Sequence, residues 1–147
     1  PTCKVKGHDG YMYEPVWIHP TDAEARGIKS GDIVKLFNER GTVLGGAIVW
    51  ERIMPGVTYQ DHGARADMIS TEPGNSIDRG GANNLISPAN GTSQNCWGMA
   101  TSGYLVDVQK VTGAEMQEWR EKYPQAFERD YSPGQGLRYL SWIRGEE

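Results

Sequence analysis

The chain is short of cysteine, of clustered charge and of long apolar stretches, and each shortage closes off a class of protein. Two cysteines among 147 residues, Cys3 and Cys96, cannot build a disulfide framework. They also lie too far apart for a CxxC metal or redox pair. His8, His19 and His62 show no ligand spacing, and HExxH, the P-loop and a strand-linked GxGxxG are all missing. A metal site inside the chain is therefore not expected. No apolar run approaches the ~18 residues of a membrane span, so membrane insertion is not expected. The net charge of −4, uninterrupted by any basic run, argues against a nucleic-acid partner. No signal peptide is visible, and Pro1-Thr2 in place of an initiator Met reads as a fragment of something longer. The compartment stays open between cytoplasm and export, with the cytoplasm preferred.

What is present is glycine and turn chemistry. There are 19 Gly and 8 Pro, with 37% apolar residues, near the low end for a globular domain. Short apolar runs between such breakers favour one β-rich domain with many tight turns. The organising stretch is Val16 to Gly63. Val16-Trp17-Ile18 reads as a strand, and Pro20 to Arg26 as a short helix. Two caps compete for that helix. Thr21 and Glu24 would make a capping box, or His19 would cap with Pro20 in the first helical position. Gly27 ends the helix in the left-handed region. Ser30-Gly31-Asp32 is a turn, Ile33 to Phe37 a strand, Asn38 to Gly41 a hairpin turn and Thr42 to Trp50 the return strand. Gly45-Gly46 inside it predicts a bulge or a close backbone approach. Met54-Pro55-Gly56 turns into a strand at Val57-Thr58-Tyr59.

The flanks read differently. Residues 1–15 look like an extended lead-in rather than a packed element. Residues 61–102 are rich in Gly, Asn, Ser and Asp with little periodicity, and a loop of that length inside a compact domain implies function. Tyr104 to Val111 reads as a strand. Thr112 and Glu115 make a second capping box, and Met116, Trp119 and Tyr123 follow at helical spacing. After a break at Pro133-Gly134, Leu137 to Ile143 reads as one or two more helical turns. Cys96, with no His near it in sequence, reads as a small packing residue rather than a nucleophile.

The string IHPTDAEARGIKSGDIVKLFNERGTV, followed by MPGVTYQDHG, resembles the C-terminal molybdopterin-dinucleotide-binding domain of the dimethyl-sulfoxide-reductase family of molybdenum and tungsten oxidoreductases. Pro20, Asp22, Ala23, Gly27, Ile28, Gly31, Asp32, Asn38, Arg40, Gly41, Pro55, Gly56 and Val57 carry the likeness. In the second half, Asn84, Leu85 and Ser87 hold the places of an Asn-x-Leu-Thr segment, and EPGNSIDRGGANNL is similar to the family's transhydroxylases. His19 stands where Asn is usual and Ser87 where Thr is common; both can still cap or hydrogen-bond.

The resemblance covers roughly residues 13–111 and implies a mainly β fold, a six-stranded double-psi β-barrel of the aspartate-decarboxylase-like kind with short helices. The implied domains are a lead-in at 1–15, the barrel at 16–111 and a C-terminal helical extension at 112–147. It implies a domain that grips molybdopterin guanine dinucleotide, in a bis form around Mo or W, for a larger oxidoreductase or transhydroxylase, with no catalysis of its own. The implied partners are the remaining domains of the parent catalytic subunit, with an iron–sulfur subunit as a further one. Such a ligand calls for directed donors, acceptors and exposed backbone amides. On the family's pattern, His62 and Gly63 are expected near the pterin and Asn84 on a pterin or guanine edge. On chemistry, Arg79 with Gly80 and Gly81 is expected near phosphate. Two other readings compete. A pyruvoyl enzyme on the same barrel would need a Gly-Ser bond to cleave, and the chain has no Gly-Ser dipeptide. A partner- or substrate-recognition module without a cofactor would use the long polar loop as its surface.

Overall fold

A computed structural model describes residues 4–89, 91–99 and 103–128, and the side chains of Thr92 and Cys96–Met99 are not among those described. The packing expected of Cys96, the break at Pro133-Gly134 and the helical turns at Leu137 to Ile143 lie outside the described residues. The domain is mainly β with a few short helices.

The centre is the antiparallel pair β4 (Ile33–Asn38) and β5 (Gly41–Val49), in continuous register from Ile33 opposite Gly46 to Asn38 opposite Gly41. Its alternation sends apolar side chains to both faces. Val34, Leu36, Val43 and Ala47 join one cluster with Val16, Ile18, Ile28, Ile86 and Val108. Ile33 and Leu44 join the other with Tyr13, Ile69, Ile77, Val111 and Met116. Asn38 pins the hairpin from inside. Its Oδ1 accepts from the Arg40 backbone N–H at 2.9 Å, and its Nδ2 donates to the carbonyls of Ile86 and Leu105.

Around this pair run β3 (Pro15–Ile18), β6 (Thr58–Gln60) and β11 (Asp107–Lys110), in the order β11-β4-β5-β3-β6. The β3–β5 pairing is parallel, as is that of β8 (Ile77–Asp78) with the start of β5. β7 (Met68–Ser70) pairs antiparallel with β8, and β9 (Gly91–Ser93) with β10 (Cys96–Met99). Among the described residues these ladders do not close into a ring. Gly45 and Gly46 sit in β5 without a bulge. A Cβ on them would lie 2.3 Å from Val16 Cγ2 and 2.3 Å from Val5 Cβ, so close approach is the reason for glycine at both.

Helix α1 (Pro20–Ala25) takes the His19 cap: Nδ1 accepts from the Thr21 N–H at 3.2 Å, and Pro20 occupies the first turn, where its missing donor costs nothing. Gly27, at φ +64°, ends it. Asp22, read as a charge at the helix start, also accepts from the Gly56 N–H at 2.7 Å and so ties the helix to the turn before β6. Helix α2 (Gly113–Lys122) begins at Thr112, whose Oγ1 accepts from the Glu115 N–H. Glu115 reaches Lys35 Nζ on β4 at 2.6 Å. Met116, Trp119 and Tyr123 pack on the second core cluster with Phe127 of α3 (Pro124–Glu128).

Two expectations need correction. Residues 5–13 are not an extended lead-in. β1 (Val5–Lys6) pairs with β2 (Met12–Tyr13), and Tyr13 is fully buried in the core. Residues 61–102 are not one long loop, because β7, β8, a 3₁₀ turn at Asn83–Leu85, β9 and β10 punctuate them. β11 is shorter than the Tyr104–Val111 reading.

Tyr11 and Tyr13 donate to Asp67 and Asp9 at 3.1 and 2.7 Å. Burial, reinforced by those carboxylates, pushes both phenols well above their ordinary value of 10.0. Folding therefore favours the neutral phenols. The stability they provide is complete below the unfolded-state value and is lost as pH rises above it. Unfolding midpoints in denaturant should fall steeply above about pH 10. Tyr11→Phe with Tyr13→Phe should flatten that fall while lowering stability at neutral pH.

Candidate functional site

A cleft of about 850 Å³ opens between the two edge strands of the sheet. Val57 to Gln60, at β6, form one wall, and Gly103 to Val106 with Val108 form the other. Ile18, Leu36 and Ile86 make an apolar floor, and His62 and Asn83 stand at the rim. Such a shape, apolar below with a few convergent polar groups, is what small-molecule sites share.

The rim is assembled by two segments far apart in sequence. The chain leaves β6 through Asp61, whose Oδ1 accepts from Tyr59 Oη at 2.5 Å. That contact holds the Tyr59 phenol above its ordinary value. His62 then meets Asn84, with Nε2 3.1 Å from Asn84 Oδ1 across a gap of 22 residues. With Asn84 Oδ1 as acceptor, His62 donates from Nε2, which leaves its other ring nitrogen and the Asn84 amide nitrogen for a guest. Asn83 Nδ2 donates to the Asp61 carbonyl at 3.5 Å, and Ser87 Oγ to the Asn84 carbonyl at 3.1 Å. Gly63 has φ +95° and open space within 4 Å of where a Cβ would stand, so its backbone is approachable.

Beneath this rim, Asp78 builds the segment that delivers Asn84. It is fully buried. Its Oδ1 accepts from the Asp67 N–H at 2.6 Å, and its Oδ2 from the Gly81 and Ala82 N–H groups at 2.8 and 2.7 Å. The next layer down is Arg79. Its Nε donates to Asp67 Oδ2 at 2.6 Å and its Nη2 to the Ala126 carbonyl at 2.9 Å. Tyr11 and Phe127 lie against its guanidinium with centroids at 4.6 and 5.0 Å.

The structure thus divides the expected contacts. His62 and Asn84 come together at the cleft, with Gly63 beside them. Arg79, Gly80 and Gly81, expected as a phosphate cradle, are turned to internal work. Arg79 is 6% exposed, and its guanidinium is engaged by a carboxylate, a carbonyl and two rings. The Gly81 N–H is taken by Asp78. A Cβ on Gly80 would fall 2.1 Å from the Arg65 carbonyl oxygen, so a second stretch of backbone covers that side. A buried arginine with these partners braces the fold rather than receiving phosphate. Sequence reading passed over Gln60, Asp67 and Asp78. Asp78 stands directly before Arg-Gly-Gly, and a carboxylate ahead of glycine amides is the available signal that these amides already have an acceptor. Among the described residues, no group of three His, Cys, Asp or Glu side chains is placed to hold a metal ion. No helix among them is long and apolar enough to cross a membrane.

Residues 4–97 match the family described as the molydopterin dinucleotide binding domain, and the chain belongs to it. The chain is similar to trimethylamine-N-oxide reductase of Salmonella typhi, 43% identical over 100 residues that make up 68% of this chain and 12% of the relative. It is similar to the pyrogallol hydroxytransferase large subunit of Pelobacter acidigallici, 40% identical over 106 residues, 71% of this chain and 12% of the relative. It is also similar to dimethyl sulfoxide/trimethylamine N-oxide reductase of Cereibacter sphaeroides, 38% identical over 102 residues, 69% of this chain and 12% of the relative. The matched segment spans about an eighth of the length of each of these relatives, 12%. The domain is a molybdopterin-dinucleotide-binding one. The chemistry of the cleft suits such a ligand, with a polar rim of His and Asn, an open glycine backbone and an apolar floor under them.

Proposed function

We propose that this chain is the cofactor-gripping part of a larger molybdenum or tungsten oxidoreductase or transhydroxylase, and that it holds molybdopterin guanine dinucleotide at the rim of the cleft. The observation that carries the proposal is the meeting of His62 and Asn84 at 3.1 Å beside the cleft, from segments that share no ladder. His62 and Asn84 offer directed hydrogen bonds to a ring edge, and Gly63 lets the guest approach the backbone. Arg79, Gly80 and Gly81 serve by shape, as the braced segment that presents Asn84. The bound group supplies oxygen-atom, hydroxyl or electron transfer, and this chain contributes positioning. We read residues 16–111 as a double-psi β-barrel body, a reading supported by the two parallel pairings that β5 makes in an otherwise antiparallel set. Residues 5–13 are stitched onto that body and α2 with α3 packs over its second face. The rest of the parent catalytic subunit is then the partner.

Calorimetric titration of the chain with GDP tests the assignment. Millimolar binding is expected, weakened about tenfold by His62→Ala or Asn84→Ala, the cost of one good hydrogen bond lost. Both variants should keep the parent's unfolding midpoint, because the two side chains lie at the exposed rim. Unchanged affinity in both variants would remove them from the site.

A further inference from the structure

Gln60 borders the cleft as the last residue of β6, two positions before His62. Its amide is in an unusual position. Both Oε1 and Nε2 are sealed from solvent, and neither has a hydrogen-bond partner among the described residues. Primary amides are rarely left this way, because a desolvated donor and acceptor without partners work against folding. The amide lies between two glycines: Cβ atoms built on Gly45 and Gly81 would each come 3.4 Å from Nε2. Glu14 flanks the same point. It is 1% exposed, its Oε1 is paired with Lys4, and its Oε2 has no partner among the described residues. The polar atoms beside Gly81 are therefore undersatisfied as a group, directly behind the rim that carries His62 and Asn84.

We propose, resting on the cofactor reading above, that Gln60 turns this amide into the cleft and reads the lactam edge of the guest. A donor and an acceptor orphaned together on one planar group match an edge that presents a C=O next to an N–H. The 2-amino-4-oxopyrimidine ring shared by guanine and pterin has that edge; adenine has no C=O and would meet an amide through N6–H and a ring nitrogen instead. Pairing of amide with lactam closes two hydrogen bonds at once and satisfies both orphans. The backbone of Gln60 is held by its pairing with Val16, so the motion proposed is rotation about the side-chain torsions alone. No change of strand register is required.

The test follows the Gln60 side-chain NH₂ resonances of the ¹⁵N-labelled chain during titration with GDP, with ADP and with 6-hydroxymethylpterin. GDP, the pterin or both should shift them, and which one does so tells whether the guanine or the pterin end is read. ADP should not. Gln60→Leu should bind the active probe about tenfold more weakly, as expected when two paired groups are lost. Its thermal midpoint should be equal or higher, because an apolar side chain of similar size removes the orphaned atoms. A residue with only a structural role would give the reverse, lower stability and unchanged binding. Shifts at His62 and Asn84 with still Gln60 resonances would overturn this inference and leave the cofactor reading standing. Equal response to ADP would overturn the lactam assignment. Silence at every resonance with millimolar GDP and pterin would count against both.

Discussion

Gly80→Ala is expected to be among the most damaging single-methyl additions in the chain. The added Cβ would stand 2.1 Å from the Arg65 carbonyl oxygen, 2.7 Å from the Asp67 nitrogen and 3.1 Å from the Ala66 carbonyl carbon. All three are backbone atoms, so no rotamer change relieves the overlap. The 65–67 segment would have to move outward. That displacement breaks the Arg79 N–H to Asp67 carbonyl bond at 3.1 Å and the Asp67 N–H to Asp78 bond at 2.6 Å. Overpacking with loss of buried hydrogen bonds should cost about 3 kcal/mol or more, read as a fall in melting temperature of roughly 10 °C. Gly113→Ala is the control: a Cβ there meets nothing within 4 Å at the start of α2, and the melting temperature should hold or rise slightly. The contrast separates space from backbone conformation, since neither glycine has a positive φ.

Asp78→Ala should have a comparable effect by a different route. One fully buried carboxylate accepts three backbone N–H groups, from Asp67, Gly81 and Ala82. Removing it leaves three donors without an acceptor where water has little access, a loss of about 3–5 kcal/mol. Asp78→Asn should recover only part of it, because the amide nitrogen would point a donor at one or two of those N–H groups. Denaturant midpoints for the three forms should rank Asp above Asn above Ala. Hydrogen exchange in the alanine variant should quicken first at Gly81 and Ala82. Equal midpoints for all three would show that the bonds to Asp78 carry no net stability.

The two variants probe one continuous brace. Asp78 holds the 67 and 81–82 backbones, Asp67 holds Arg79 and Tyr11, and Arg79 holds the Ala126 carbonyl at α3. The consequence for function is positional. Through the Gly81 and Ala82 N–H groups, Asp78 fixes the short segment that leads from β8 to the 3₁₀ turn carrying Asn84.

Much of the β4–β5 centre was legible in the sequence. Turn residues at Ser30-Gly31-Asp32 and Asn38 to Gly41 bracket strands whose apolar alternation is clear, and local chemistry alone decides such elements. The α1 cap shows where local reasoning branches, since His19 and Thr21 are both able caps. The folded chain uses His19, which places Pro20 at its natural first-turn position. β7 and β8 were illegible because strands of three and two residues have no period to read. Tyr13 was misplaced because its burial comes from packing against Leu44, Ile77 and Met116, all distant in sequence.

For the site, His62 and Asn84 were singled out on the family's residue pattern, and the fold brings their side chains within 3.1 Å of each other. Arg79 misled because an arginine beside two glycines looks the same as an anion cradle or a buried strut. The difference is made by Asp67, twelve residues earlier in the chain, and by Phe127 at its far end. Gln60 carried no signal at all. A glutamine in a half-exposed strand is ordinary until both ends of its amide are found without partners.

The central claim is that the rim formed by residues 61–64 and 82–85 holds the dinucleotide. Hydrogen exchange of the chain, with and without saturating GDP, tests it most directly. Slowed exchange confined to those two segments and the end of β6 is the predicted result. Protection that falls elsewhere, on the α2 face for instance, or no protection while GDP is bound by calorimetry, would contradict it.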